Sequence, residues 1–290
     1  MKLKIKDSFH IYAIITIVFW SLAYVFTRMA LKYFSAYSLG FLRYFIASCI
    51  LIIVIIAMKM KPPKKTDLKW FVIEGAVGFF LYMISFNKGC ETVNASTSSV
   101  IIATVPIITA LLAQLIYKER LKYLQWIAII ISFLGVITLT LLNGIFSIDK
   151  GLIWLFLAAI LLSFYNLLQR KLTRIYSALQ TSAFSIFAGT IMLSIFSPIS
   201  LKEIKSAPTI QLFYVVIMGV FSSAMAYLSW SKAFSKAKNT SSVSSYMYIT
   251  PFLTTLLALL IAKEWPDLST IVGGIIILIG LLIFHFGGSI

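Results

Sequence analysis

Few side chains in this sequence are equipped for chemistry, and those that are fall in register. Ser21, Tyr24 and Arg28 are spaced i, i+3 and i+7, which puts them on one helix face. Ser163, Asn166 and Arg170 repeat the pattern in the second half of the chain. A polar stripe facing lipid is costly, so both stripes are expected to point inward, where Tyr82, Phe86, Tyr227 and Trp230 offer aromatic walls for a small ligand. Packing or interfacial anchoring is the plainer reading of any single aromatic ring. Pro106 and Pro251 lie inside apolar runs, and each removes one helix hydrogen bond, freeing the carbonyls of Ile102 and Met247. Hydroxyls crowd around both prolines: Ser96, Thr97, Ser98, Ser99 and Thr104 near the first, and Ser241, Ser242, Ser244, Ser245, Tyr246, Tyr248, Thr250, Thr254 and Thr255 near the second. Two broken helices lined with hydroxyls read as the hinges and walls of a cavity, with packing through small polar residues as the bland alternative. The pattern makes Tyr24, Tyr82, Ser99, Asn166, Tyr227, Trp230, Ser245 and Tyr248 the candidate ligand contacts, with Pro106 and Pro251 as hinges.

Lys88 and Lys232 occupy matching ends of two apolar runs. A cation at each mouth of a cavity would hold an acidic group on a ligand, whereas snorkelling to the interface needs no ligand. Arg43 and Glu74 sit within apolar runs about one turn from the expected ends, and snorkelling or a structural ion pair accounts for them. Glu119 and Glu264 each close an apolar run and are read as fixing loops. The remaining acids, Asp7, Asp67, Glu91, Asp149, Glu203 and Asp267, are scattered, and His10 and His285 have no partner pattern. No clustered acids, metal motif or activated nucleophile emerges, so catalysis is not expected, nor any metal or cofactor. Cys49 and Cys90 form no CxxC and read as free thiols. An intramembrane enzyme and a membrane assembly protein without transport activity remain the rival classes.

The elements that must position these groups follow from composition. The chain has 290 residues, 60% hydrophobic and 12% charged, with a mean hydropathy of +0.98. That is too apolar for a domain covered by water. Spans of about 20 apolar residues are expected near 9 to 34, 37 to 58, 70 to 90, 95 to 117 and 123 to 142, then 151 to 171, 178 to 196, 210 to 231, 240 to 262 and 269 to 286. Each run is continuously apolar, which favours helices over a barrel. The run following Lys2, Lys4 and Lys6 lacks a small-residue cleavage site and reads as the first span.

Internal correspondence organises the ten. Pro106 maps onto Pro251, Glu119 onto Glu264, Gly135 onto Gly280, Gly75 onto Gly219, Ser85 onto Ser229, Lys88 onto Lys232, Ser21 onto Ser163 and Arg28 onto Arg170. The fold expected is an all-α membrane protein of ten transmembrane helices in two inverted five-helix repeats, residues 1–145 and 146–290, forming one domain. The formal charge of +16 lies in loops rather than on one face, so it reads as orientation, with no nucleic-acid partner. Lys59, Lys61, Lys64, Lys65 and Lys69, then Lys118, Arg120, Lys122, Arg170, Lys171, Arg174, Lys232, Lys236 and Lys238, fall on the side of the N-terminus, which places both termini in the cytoplasm of a cell (inner) membrane. Ala128, Ser132 and Gly135, with Gly273 and Gly280, make small-residue faces suited to a neighbouring helix or a second copy in a homodimer.

The sequence resembles the drug/metabolite transporter superfamily, in its EamA-type members. The likeness rests on FWSLAYVFTR in the first span, LRYFIA around Arg43, the stretch from Ala95 through Pro106 to Lys118-Glu119-Arg120, and FLGVITL. In the second half it rests on AYLSWSKAF, Ile249-Thr250-Pro251, Lys263-Glu264 and GGIIILIGLLI. The chain departs from the family at Lys118 and Lys263, where members often carry Gly, and at Asn87, Lys88 and Gly89, where they usually carry an Ala-Leu pair. The resemblance implies a secondary transporter or exporter of small metabolites, amino acids or related compounds, working by alternating access through a central cavity.

Overall fold

The computed structural model describes residues 9–118, 121–141, 150–237 and 240–289. Lys2, Lys4, Lys6, Asp7, Glu119, Arg120, Asp149, Lys238 and the expected repeat boundary lie outside them. The described chain is helical: α1 (Phe9–Ala30), α2 (Ala36–Ala57), α3 (Lys65–Thr92), α4 (Ala95–Ile116), α5 (Tyr123–Leu141), α6 (Lys150–Leu172), α7 (Ala178–Ser206), α8 (Thr209–Lys236), α9 (Ser245–Ala262) and α10 (Leu268–Ser289). Eight of these are long and apolar enough to cross a bilayer, and α5 and α10 add shorter apolar stretches over Tyr123–Thr138 and Leu268–Phe284. Large apolar side chains such as Ile53, Ile56, Phe133, Ile191 and Phe252 are exposed on the outer surface, while polar residues including Ser21, Asn166, Gln169 and Ser231 are buried inside. That inversion suits a lipid solvent.

Local chemistry sets the helix ends, and it recurs in pairs. Ser35 and Ser177 cap α2 and α7 with the same backbone angles, φ −65° and ψ 156°, each side chain accepting the N–H three residues on. Gln180 completes a capping box at α7. Lys118 and Lys263 close α4 and α9 in the left-handed conformation, at φ 56° and 54°, the niche glycine fills without strain. A π-helical segment interrupts α3 at Ala76–Leu81 and α8 at Met218–Met225.

The structure departs from the sequence reading at the seventh helix and gives detail to it at the prolines and the small-residue faces. The seventh helix runs on to Ser206 through a tight turn at Ser194–Phe196, with Pro198 tolerated in the first turn of the new segment. The extension is anchored where Glu203 accepts the backbone N–H of Ser35 at 3.0 Å. The prolines are not in unbroken helix: α4 stops at Ile102 and restarts at Val105, and α9 passes from a 3₁₀ segment, Ser245–Ile249, to an α segment at Thr250, so each proline sits in a first turn. The small-residue faces meet each other within the chain, Gly135 against the Gly273 carbonyl and Gly280 against the Ala128 carbonyl. They serve α5–α10 packing, the neighbouring-helix alternative of the sequence reading.

Candidate functional site

The aromatic rings gather in the middle of the bundle, where helices from both halves meet. Trp20, Ala23 and Tyr24 of α1, Arg43 of α2, Tyr82, Met83 and Phe86 of α3 and Ile102 of α4 line one side of a cavity; Leu162 of α6, Tyr227 of α8 and Met247 of α9 close the other. The cavity leaves about 20 Å³ for a water-sized molecule, room for about one water. Tyr24 meets Phe86 edge-on at 5.1 Å, and Trp20 packs on Tyr227 at 5.1 Å and on Trp230 at 5.0 Å. Beneath them the Tyr44 hydroxyl donates to that of Tyr227 at 3.3 Å.

Of the expected contacts, Tyr24, Tyr82 and Tyr227 line the cavity. Trp230 and Asn166 stand behind it, joined by a Trp230 Nε1–H bond to the Asn166 side-chain oxygen at 3.1 Å, and the Asn166 amide donates to Thr109 at 3.5 Å. Ser99 turns its hydroxyl back onto the Ser96 carbonyl at 2.7 Å and is not in the lining. Ser245 and Tyr248 are half-buried in the 3₁₀ segment before Pro251 and also stand off the lining. Both residues named for freed carbonyls, Ile102 and Met247, do line it, and the Met247 carbonyl takes up the Thr250 N–H. Ser163 reaches the break in α4, donating to the Val105 carbonyl at 3.2 Å.

The lysines read as mouth cations differ in setting. Lys88 is ion-paired with Glu91 at 2.9 Å and lies 5.1 Å from the centre of the Tyr37 ring. Lys232 is exposed. Next to Lys88, Asn87 is buried and clips α3 to the start of α2 through the Ala36 carbonyl at 2.8 Å.

Sequence reasoning missed Trp20, Met83, Leu162 and above all Arg43. Measured from the Ser35 cap, Arg43 lies two turns inside α2 and is 2% exposed. It is not paired with Glu74, whose carboxylate instead accepts the Ser185 hydroxyl on α7 and keeps its other oxygen unpartnered. The expected span, beginning at 37, already puts Arg43 nearly two turns inside, so its depth was legible from the apolar run itself.

One turn beyond Tyr24, Arg28 closes one end of the bundle. Its Nε pairs with Glu264 at 3.4 Å, and its Nη1 donates to the Cys90 and Glu91 carbonyls at 3.0 and 2.5 Å. Glu264 in turn accepts the Ala95 N–H at 3.3 Å, so α1, α3, α4 and the α9–α10 connection are tied at one point. At the opposite end, in the α6–α7 loop, Tyr176 donates to Asp67, and this bond holds the phenol above its usual range.

Comparison with known proteins places the chain. The model of the EamA-like transporter family matches twice, at residues 8–141 and 149–286. Among curated relatives, YdfC of Bacillus subtilis (strain 168), an uncharacterized transporter, is 28% identical over 89% of this chain and 84% of its own length. A probable terminal-alkyne amino-acid exporter of Streptantibioticus cattleyicolor is 25% identical, covering 94% of this chain and 91% of its own. A crystal structure aligns with a TM-score of 0.66 at 17% identity, over 95% of this chain and 96% of that one, which speaks to the fold.

Proposed function

The chain belongs to the EamA-like transporter family, and on that premise we propose that it moves amino acids or related small metabolites across the cell membrane by alternating access. It is a multi-pass membrane protein. The observation that carries the reading is the central cavity, whose lining is drawn from both copies of the family unit. In this reading the ten helices form two inverted five-helix repeats, 1–145 and 146–290, with both termini cytoplasmic as the loop charges favour. Tyr24, Tyr82 and Tyr227 contact the substrate, and Asn166 and Trp230 hold their neighbours in place. Ser99, Ser245 and Tyr248 come into play as α4 and α9 flex at Pro106 and Pro251. Lys88 and Lys232 mark the two mouths. The amino-acid class is supported by the exporter relative.

The test is solute counterflow in liposomes holding the purified protein, against a panel of labelled amino acids and related metabolites. Accumulation of at least one compound above protein-free liposomes is expected. Failure of the whole panel to exchange overturns the reading.

A further inference from the structure

We propose that Arg43 is the anchor for a carboxylate on the substrate. The inference rests on the transport reading and adds to it the chemical group recognised.

Three observations converge. Arg43 lines the central cavity while 2% exposed, so its charge is held away from water inside an aromatic and apolar wall. Its partners are all neutral: Nε donates to the Ser223 hydroxyl at 3.4 Å, and Nη1 to the Thr27 hydroxyl at 3.2 Å and to the Met83 sulfur at 3.7 Å. Nη2 makes no hydrogen bond among the described residues, and no carboxylate there lies within ion-pair distance: Glu91 pairs with Lys88, Glu264 pairs with Arg28, and Glu74 accepts the Ser185 hydroxyl instead. A guanidinium in a low-dielectric interior without a counter-charge is expensive, and the group that repays it best is a carboxylate engaging two N–H bonds side by side.

The third observation is internal. Ser35 and Ser177 cap α2 and α7 with identical backbone angles, and counting from those caps the residue equivalent to Arg43 is Ser185. The same helix therefore folds in the second copy with a hydroxyl at this position. Arg43 is not demanded by the helical architecture, and a charge kept at one of two equivalent sites gives the cavity a single cationic pole. A substrate with one carboxylate would bind in one orientation, with its side chain against Tyr24, Tyr82 and Tyr227. Lys88, ion-paired and off the lining, is not needed for this.

The experiment measures competition in the counterflow assay and, independently, thermal stabilisation of the detergent-purified protein. The probes are L-amino acids, their methyl esters and the matching amines that lack the carboxylate. For the unaltered protein, the transported amino acid should compete and stabilise, while its ester and amine do so about 10- to 100-fold more weakly, the loss expected for a charge-assisted hydrogen-bonded pair. Arg43→Gln should weaken the amino acid by a similar factor and leave the ester unchanged; Arg43→Lys should recover part of the loss. Equal competition by acid, ester and amine in the unaltered protein overturns the anchor while leaving transport intact, and needs no variant to fold. Exchange of nothing on the panel overturns the transport reading and the anchor together. A well-folded Arg43→Gln that still favours the acid over the ester by the original margin overturns the anchor alone.

Discussion

Ile102 and Met247 each stand four residues before a proline, in α4 and α9, and both line the same cavity. A proline cannot donate to the carbonyl four residues back, so both interruptions of the regular helical pattern fall at residues that line the cavity, the Met247 carbonyl taking up the Thr250 N–H instead. Pro106→Ala and Pro251→Ala each restore a donor. Because both prolines already occupy first turns, stability should change by about 1 kcal/mol or less, while counterflow should fall roughly tenfold in the double variant, about 1.4 kcal/mol in the barrier. Parental exchange in a protein of normal melting temperature would remove the hinge role.

Glu264 holds Arg28 and the Ala95 N–H together, beside the buried Cys90. In a Cys49→Ala background, Glu264→Gln should raise the rate of Cys90 modification by a small maleimide several-fold, because a partly exposed pair worth about 1 kcal/mol or less is lost at the closed end. An unchanged rate would mean that this contact does not keep the end shut.

Trp230 and Asn166 join α8 to α6 through one buried hydrogen bond at 3.1 Å. Trp230→Phe and Asn166→Leu, alone and combined, form a double-mutant cycle with an expected coupling of about 1 kcal/mol in thermal stability. Strict additivity would assign the pair no role in holding the wall.

Gly75 and Gly189 let α3 and α7 touch backbone to backbone: a Cβ on Gly75 would lie 2.8 Å from the Ser185 carbonyl and 2.9 Å from the Gly189 nitrogen. Gly75→Ala should cost about 1–3 kcal/mol and lower the melting temperature by several degrees. It should also disturb the adjacent Glu74–Ser185 bond.

Topology can be read with single cysteines in a chain lacking Cys49 and Cys90. An impermeant reagent on intact cells should label sites within Ser200 to Ala207 and spare those within Lys61 to Lys65. The reverse pattern would invert the orientation.

Much of this architecture was legible because spans, caps and prolines are local features. Ser35 and Ser177 announce two helix starts, and Pro106 with Pro251 announce two breaks. Rotation of a helix about its own axis is not local: Tyr24 and Tyr227, singled out from a stripe and an aromatic cluster, line the cavity, while Ser99, in a helix polar on several faces, bonds its own backbone. Arg43 reads as snorkelling or paired although the expected span, beginning at 37, already puts it nearly two turns inside; its burial depends on how α2 packs against α1, α3 and α8, which is not local. Lys118 and Lys263 depart from the glycine common in the family, yet both adopt the left-handed geometry that glycine favours. Lys263→Gly should therefore add about 0.5–1 kcal/mol of stability.

A cavity with room for about one water has a quantitative consequence for binding. On the transport reading a metabolite enters only a wider conformer, so its measured dissociation constant is the intrinsic one divided by the fraction of molecules already widened. A closed form favoured 100 to 1 would weaken apparent affinity about 100-fold with every contact in the site unchanged. Substitutions that loosen the closed form, Glu264→Gln among them, should then tighten ligand binding while slowing the return to closure, a pairing of effects that loss of a direct contact cannot produce.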